Sequence, residues 1–320
     1  MKNLTRQFIL IFLLVLPFVL NGCSGFRYLD AEPLEFQDID YGFETHFIDL
    51  DDVRLAYIDE GNADETLILI HGLASNAGFW RYNISDLSAD YRVIALDLPG
   101  YGKSDKGDFP YGMAWYADVI TRFIEAQNLE NVTYIGHSMG GQIGIILSLN
   151  HPESINRLVL AAPAGIEAFS PGSGNWLRGV FTIEGIKNAP ESAIRENLSL
   201  NFHRWNSRWE WMVEERTRMA KTEEMDEFAY TVIQSIGAML DEPTTQKLTD
   251  ISHETLIIYG RFDRLIPNMY LNPGSPVDVF EYGHQQIPNS SLIQVDKAGH
   301  MLQIEKADSF NREVKNWLNR

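Results

Sequence analysis

From about residue 43 the chain alternates short apolar runs rich in β-branched residues with longer stretches whose apolar positions recur at helical spacing. Phe43 to Leu50 and Val53 to Asp59, joined around Asp51-Asp52, predict an opening hairpin, and Leu67 to Ile70 predicts a third strand. A helix over roughly 77–87 leads to a strand at Arg92 to Leu96. A second helix over roughly 111–127 places Ile120, Phe123 and Ile124 on one face. Then come a strand ending at Ile135, a helix over Gln142 to Asn150 stopped by His151-Pro152, and a strand at Arg157 to Ala161. This rhythm builds an α/β fold, a mostly parallel sheet covered by helices on both faces. Residues 164–250 break it with charged helical stretches that hold four of the seven tryptophans: Trp176, Trp205, Trp209 and Trp211. They are expected to form a helical cap inserted between the core segments 43–163 and 251–320, with the tryptophans packed between cap helices. The rhythm resumes with strands at Thr255 to Tyr259 and Leu292 to Val295 and a last helix over Ala307 to Leu318.

At 320 residues and 45% hydrophobic content the chain can bury a full core, and a formal charge of −18 makes nucleic acid a poor partner. The N-terminus changes the picture more. Lys2 and Arg6 precede an apolar stretch from Phe8 to Leu20, too short for a membrane span of roughly 20 residues but suited to a signal h-region. Leu20-Asn21-Gly22-Cys23 then resembles the lipobox of bacterial lipoproteins, in which cleavage before the cysteine is followed by acylation of its thiol. On that resemblance residues 1–22 are a signal peptide, Cys23 is the lipidation site and 23–42 a tether. Ser24 after the cysteine implies the outer membrane. The rival is a plain signal peptide or N-terminal anchor. Cys23 is the only cysteine, which excludes an intrachain disulfide and disfavours a thiolate metal site.

The candidate chemistry centres on Gly136-His137-Ser138-Met139-Gly140-Gly141, directly after a strand and before a helix. G-x-S-x-G in that setting is a nucleophile elbow, whose sharp turn lifts the serine hydroxyl clear of the backbone, and Gly136 and Gly140 keep the turn free of side chains. A serine alcohol needs a histidine base, and the histidine needs a carboxylate. Of eight histidines only His300 sits in a short turn just after a late strand. Asp263 follows the strand ending at Tyr259, so both project from the same sheet edge. Asp241, Asp250 and Glu254 remain rivals for the carboxylate. His71 is expected to brace its loop, His137 to pack beside the elbow, Asp97, Ser104 and Asp105 to shape a loop, and Glu305 to face solvent.

The order Ser138, Asp263, His300 resembles that of the α/β-hydrolase superfamily, as do five separated segments. These are the elbow, His71-Gly72 after the third strand, Asp97-Leu98-Pro99-Gly100-Tyr101-Gly102-Lys103-Ser104, and the loops Gly260 to Pro267 and Ala298-Gly299-His300. The resemblance covers residues 43–320. It implies an eight-stranded sheet, a Ser138–His300–Asp263 triad, and an oxyanion hole made by the backbone amides of Leu73 and Met139. One departure is the inserted turn Leu271-Asn272-Pro273-Gly274-Ser275-Pro276 between acid and base. A serine nucleophile points to acyl transfer to water, without metal or organic cofactor. Gly136 to Gly141 and Ala162-Pro163-Ala164-Gly165 are similar to bacterial lipases and monoacylglycerol lipases, so a lipid or medium-chain ester is the expected substrate. The alternatives are a carbon–carbon hydrolase of the meta-cleavage type and a non-catalytic envelope binding protein on the same fold.

Overall fold

The computed structural model describes residues 27–320. Eight strands form one sheet: β1 (His46–Leu50), β2 (Val53–Glu60), β3 (Thr66–Ile70), β4 (Arg92–Leu96), β5 (Val132–His137), β6 (Arg157–Ala161), β7 (Glu254–Gly260) and β8 (Ser290–Val295). Their order is β1-β2-β4-β3-β5-β6-β7-β8, and β2 alone runs against the others. Leu67, Ile68, Leu69 and Ile70 are all fully buried, as a central parallel strand covered on both faces requires. The chain passes from β3 outward to β4 and returns to β5 on the other side of β3, so the strand order reverses between β3 and β5. In open α/β sheets ligands bind beyond the strands' carboxyl ends at such a reversal. His71 to Leu73 follow β3 there, and Ser138 follows β5.

The helices are α1 (Ile84–Leu87), α2 (Met113–Ala126), α3 (Met139–Asn150), α4 (Pro171–Val180), α5 (Ile183–Lys187), α6 (Glu191–Leu200), α7 (Trp211–Met219), α8 (Met225–Asp241), α9 (Pro276–Gln286), α10 (Leu302–Glu305) and α11 (Ala307–Leu318). α3 lies against α2, β5 and β6, α9 against β7 and β8, and α11 against α1 and β8. On α2, Met113, Tyr116, Ala117, Ile120, Phe123 and Ile124 are buried at helical spacing. The helix expected over 77–87 is two short turns, a 3₁₀ turn at Ala77–Trp80, whose start the Asn76 side chain caps, and α1. The sequence reading missed α9, which the inserted turn 271–276 introduces, with Ser275 and Asp278 closing a capping box.

Residues 164–250 carry α4 to α8. Trp209 is buried, in a small apolar cluster with Phe79, Phe202, Met212, Met301 and Ile304, against which Trp205 and Trp211 also pack. Trp176 differs: it is 54% exposed on α4. A second correction concerns the segment expected to be a tether. Cys23 lies outside the described residues, but Phe36, Ile39 and Tyr41 are buried in the main core, and the Tyr41 hydroxyl donates to Asp97 Oδ2 at 2.7 Å. Nearer its start, the amides of Arg27 and Tyr28 donate to the carboxylate of Glu191 on α6 at 3.1 and 2.8 Å. The apolar side chains in this stretch explain the difference, since a free tether has nothing to bury.

Candidate active site

Ser138 joins β5 to α3 with φ 54° and ψ −116°. This left-handed backbone is uncommon outside glycine and asparagine and persists only where surroundings enforce it. The enforcement is visible at the two glycines. A methyl group on Gly136 would collide with the carbonyl of Gly140, and one on Gly140 would stand 2.6 Å from the Ile70 carbonyl oxygen and 2.7 Å from that of His71. Elbow and His71 loop therefore touch backbone to backbone, which sets Ser138 beside Gly72 and Leu73.

His300 follows β8 and Asp263 follows β7, and the structure brings them together: His300 Nδ1 lies 2.8 Å from Asp263 Oδ2. Both are buried, at 3% and 6% exposure. The other carboxylate oxygen of Asp263 accepts from the amides of Leu265 at 2.8 Å and Ile266 at 3.1 Å. With that bonding the carboxylate is aimed, and Nδ1 carries the proton it needs as donor, leaving Nε2 free for a base role. Ser138 and His300 line one cavity together with Gly72, Leu73 and His137. Met139 begins α3, and an amide at a helix's first position has no intrahelical acceptor.

The remaining histidines of the site take structural positions. His71 is 1% exposed, and its Nδ1 stands 2.8 Å from the Gly72 carbonyl oxygen. Its Nε2 accepts from the Leu98 amide at 3.2 Å, so the Nδ1–H tautomer satisfies both contacts. Burial pulls its pKa down to about 4, which keeps it neutral. His137 Nε2 donates to the carbonyl of His300 at 3.0 Å, and burial, then the neighbouring His300, hold it well below the usual histidine range. Asp97 shapes its loop by accepting from the amides of Ala77 at 2.7 Å and Lys103 at 2.8 Å.

The cavity above Ser138 measures about 1360 Å³, and most of its wall is apolar. Gln142, Ile146 and Leu149 of α3 line it at helical spacing, as do Ile236, Met239 and Leu240 of α8. Gln142 ties the two helices by donating from Nε2 to the carbonyls of Met239 at 2.9 Å and Glu242 at 3.0 Å. Asn197, Asn201 and Arg216 of the cap line it too. Arg216 was not singled out in the sequence, where it sits in the charged run Glu214-Glu215-Arg216. Here its guanidinium lies over Phe228 at 4.5 Å and donates from Nη2 to the Ala74 carbonyl at 2.5 Å, and burial lowers its pKa to about 10. Glu215 turns away to Arg81 at 3.3 Å. Glu167 holds the inserted turn at the cavity rim, accepting from the Asn268 amide at 2.7 Å and Asn272 Nδ2 at 2.5 Å. Among the described residues, no cluster of three or more histidine, cysteine, aspartate or glutamate side chains suits a metal ion, and no helix is long and apolar enough to cross a membrane.

A mostly parallel sheet with a strained serine elbow, a buried histidine–aspartate pair from later loops and a helical insertion defines a class, and sequence comparison agrees. Residues 65–307 match the model of the alpha/beta hydrolase fold, and the chain belongs to that family. It is 29% identical over 286 residues to 2-hydroxy-6-oxononadienedioate/2-hydroxy-6-oxononatrienedioate hydrolase 1 of Pseudomonas putida, covering 83% of this chain and 92% of that protein. An esterase from Exiguobacterium antarcticum superposes with a TM-score of 0.73 at 24% identity, over 87% of this chain and all of the esterase. A bacterial membrane phospholipase A, described as a virulence factor, gives 0.72 at 21% identity, covering 100% of this chain and 98% of its own.

Proposed function

We propose that the protein is a serine hydrolase of carboxylic esters with apolar acyl groups, lipid or medium-chain in kind. The observation that carries this reading is the His300–Asp263 pair set with Ser138 on the floor of a largely apolar cavity. Ser138 Oγ attacks the ester carbonyl as His300 Nε2 takes its proton. The oxyanion forms against the amides of Leu73 and Met139, and the alcohol leaves with the proton from His300. Water, activated by the same histidine, then cleaves the acyl-enzyme and restores Ser138. Asp263 holds the imidazole and stabilises its charged form.

The apolar lining contributed by α3 supports a medium chain. Eleven residues separate Ser138 from Leu149, about 16 Å at the helical rise of 1.5 Å per residue. An extended chain advances roughly 1.2 Å per bond, a third of an extended residue, so roughly 13 bonds span the same length. On the reading of Leu20 to Cys23 as a lipobox, the enzyme is lipid-anchored through Cys23 in the bacterial envelope, at the outer membrane. Intact mass of the wild type against Cys23→Ser checks this.

A second reading has one observation in its favour. Arg216 is a half-buried cation in the cavity wall with a single protein acceptor among the described residues, and a substrate carboxylate would match it. The relative from Pseudomonas putida hydrolyses dioates by its name, so a carbon–carbon hydrolase would use this residue. Hydrolysis of p-nitrophenyl esters of increasing chain length and of a monoacylglycerol, set against a 2-hydroxy-6-oxo-dienoate, separates the two. The ester reading predicts turnover of medium-chain esters. Activity confined to the dienoate contradicts it, and esters bound without turnover would leave a binding protein.

A further inference from the structure

Glu305 ends α10, five residues after His300, and the sequence places it in solvent. The structure corrects this: Glu305 is 6% exposed, and three backbone amides point at its carboxylate. Gly299 donates to Oε2 at 2.7 Å, His203 to Oε2 at 2.8 Å and Arg204 to Oε1 at 3.0 Å. Gly299 immediately precedes His300, whereas His203 and Arg204 belong to the cap, between α6 and α7. Side chain 305 therefore joins the base loop to the cap through backbone on both sides.

The neighbouring contacts are of the same kind. The Met301 amide donates to the Asn201 carbonyl at 3.0 Å. A methyl group on Gly299 would stand 2.6 Å from both the Asn201 oxygen and the His203 nitrogen, so base loop and cap meet without room for a side chain. The His203 ring stacks on Phe262 at 4.1 Å, next to Asp263. One cap turn, 201–204, thus bears on the loops of acid and base together. Three amide donors converging on one site demand an acceptor-only group of two oxygens. A carboxylate supplies it, whereas the glutamine amide would turn N–H against N–H on one side.

We propose that Glu305 is a positioning residue, which locks the cap turn 201–204 to Gly299 and thereby holds His300 in its working place against Ser138. This rests on the reading of those two residues as base and nucleophile. Glu305 does not itself line the cavity, so its loss is expected to act mainly through His300 and the chemical step. A displaced base alone costs up to about a hundred-fold in rate.

The test compares wild type and Glu305→Gln by labelling rate with a fluorophosphonate, which needs the triad but no particular substrate, and by kcat and KM on a short ester. Folding is checked by near-ultraviolet circular dichroism. The proposal predicts that labelling rate and kcat fall together by about tenfold or more, with KM within about twofold. A folded variant labelled at the wild-type rate overturns it, as does a rise in KM at constant kcat. A wild type that is never labelled overturns the hydrolase reading beneath it, a distinguishable result. Hydrogen exchange on the wild type needs no variant: the amides of Gly299, His203 and Arg204 are expected to exchange slowly and as one unit. Rapid exchange at any of the three overturns the proposal.

Discussion

Ser138 sits in a conformation that costs of order 1–3 kcal/mol, and its neighbours impose it. A residue of this kind is legible in a sequence because its surroundings are local: two glycines, a strand before and a helix after. Gly136, Gly140 and the elbow could be read for that reason. Arg216 and Glu305 could not, since the same letters on an exposed helix would be solvated charges. Only the fold puts Arg216 over Phe228 and three amides around Glu305. His71 lies between these cases, readable as a loop brace but not as a titrating group. Its pKa in the folded state is about 4 against about 6.5 unfolded, so between those pH values the unfolded chain binds the extra proton. Stability contributed by the neutral ring is complete above pH 6.5 and is lost as pH falls toward 4, up to about 3 kcal/mol. Urea midpoints measured between pH 7 and 4.5 are expected to drop less for His71→Asn than for the wild type. Equal drops would contradict this account of His71.

Among the elements, the strands were the most legible, because a buried parallel strand writes itself as an unbroken apolar run. The 77–87 stretch and α9 were not. Asn76 sets a turn there that helical spacing conceals, and an insertion read only as a turn carried a helix with it. Helix ends also depend on distant residues. The first amides of α2, at Met113 and Ala114, are capped by the carboxylate of Glu242 from the far end of the cap, at 2.8 Å each. Glu191, Glu242 and Glu305 each grip paired amides of another segment, so part of the acidic composition is internal scaffolding and not solvated surface. The apolar cavity wall belongs to this scale, being made in part by α3 and α8. Ile146 lies in it and is 7% exposed. Ile146→Trp is expected to move the acyl-length optimum to shorter esters while the rate on the shortest ester changes little. A length profile identical to that of the wild type would argue that the chain lies elsewhere.

At the scale of the whole molecule, residues 27–41 belong to the folded body. Phe36, Ile39 and Tyr41 each add roughly 1.5–3 kcal/mol of burial, together comparable with a domain's net stability of about 5–15 kcal/mol. A chain starting at residue 27 is expected to melt like the longer protein, and one starting at residue 43 to lose most of its stability. Melting of the shorter chain within about 3 °C, the shift of one kcal/mol, would show that the segment is dispensable. The sequence hid this because fifteen residues without clear periodicity resemble a linker until their aromatic side chains are seen in the core.

The central claim is that Ser138, His300 and Asp263 form a working acyl-transfer site, and its most direct measurement is covalent. Purified protein treated with a fluorophosphonate should gain the mass of one adduct on the peptide containing Ser138, and folded Ser138→Ala should gain none. A folded wild type that stays unlabelled, or a variant labelled as fast as the wild type, would contradict it.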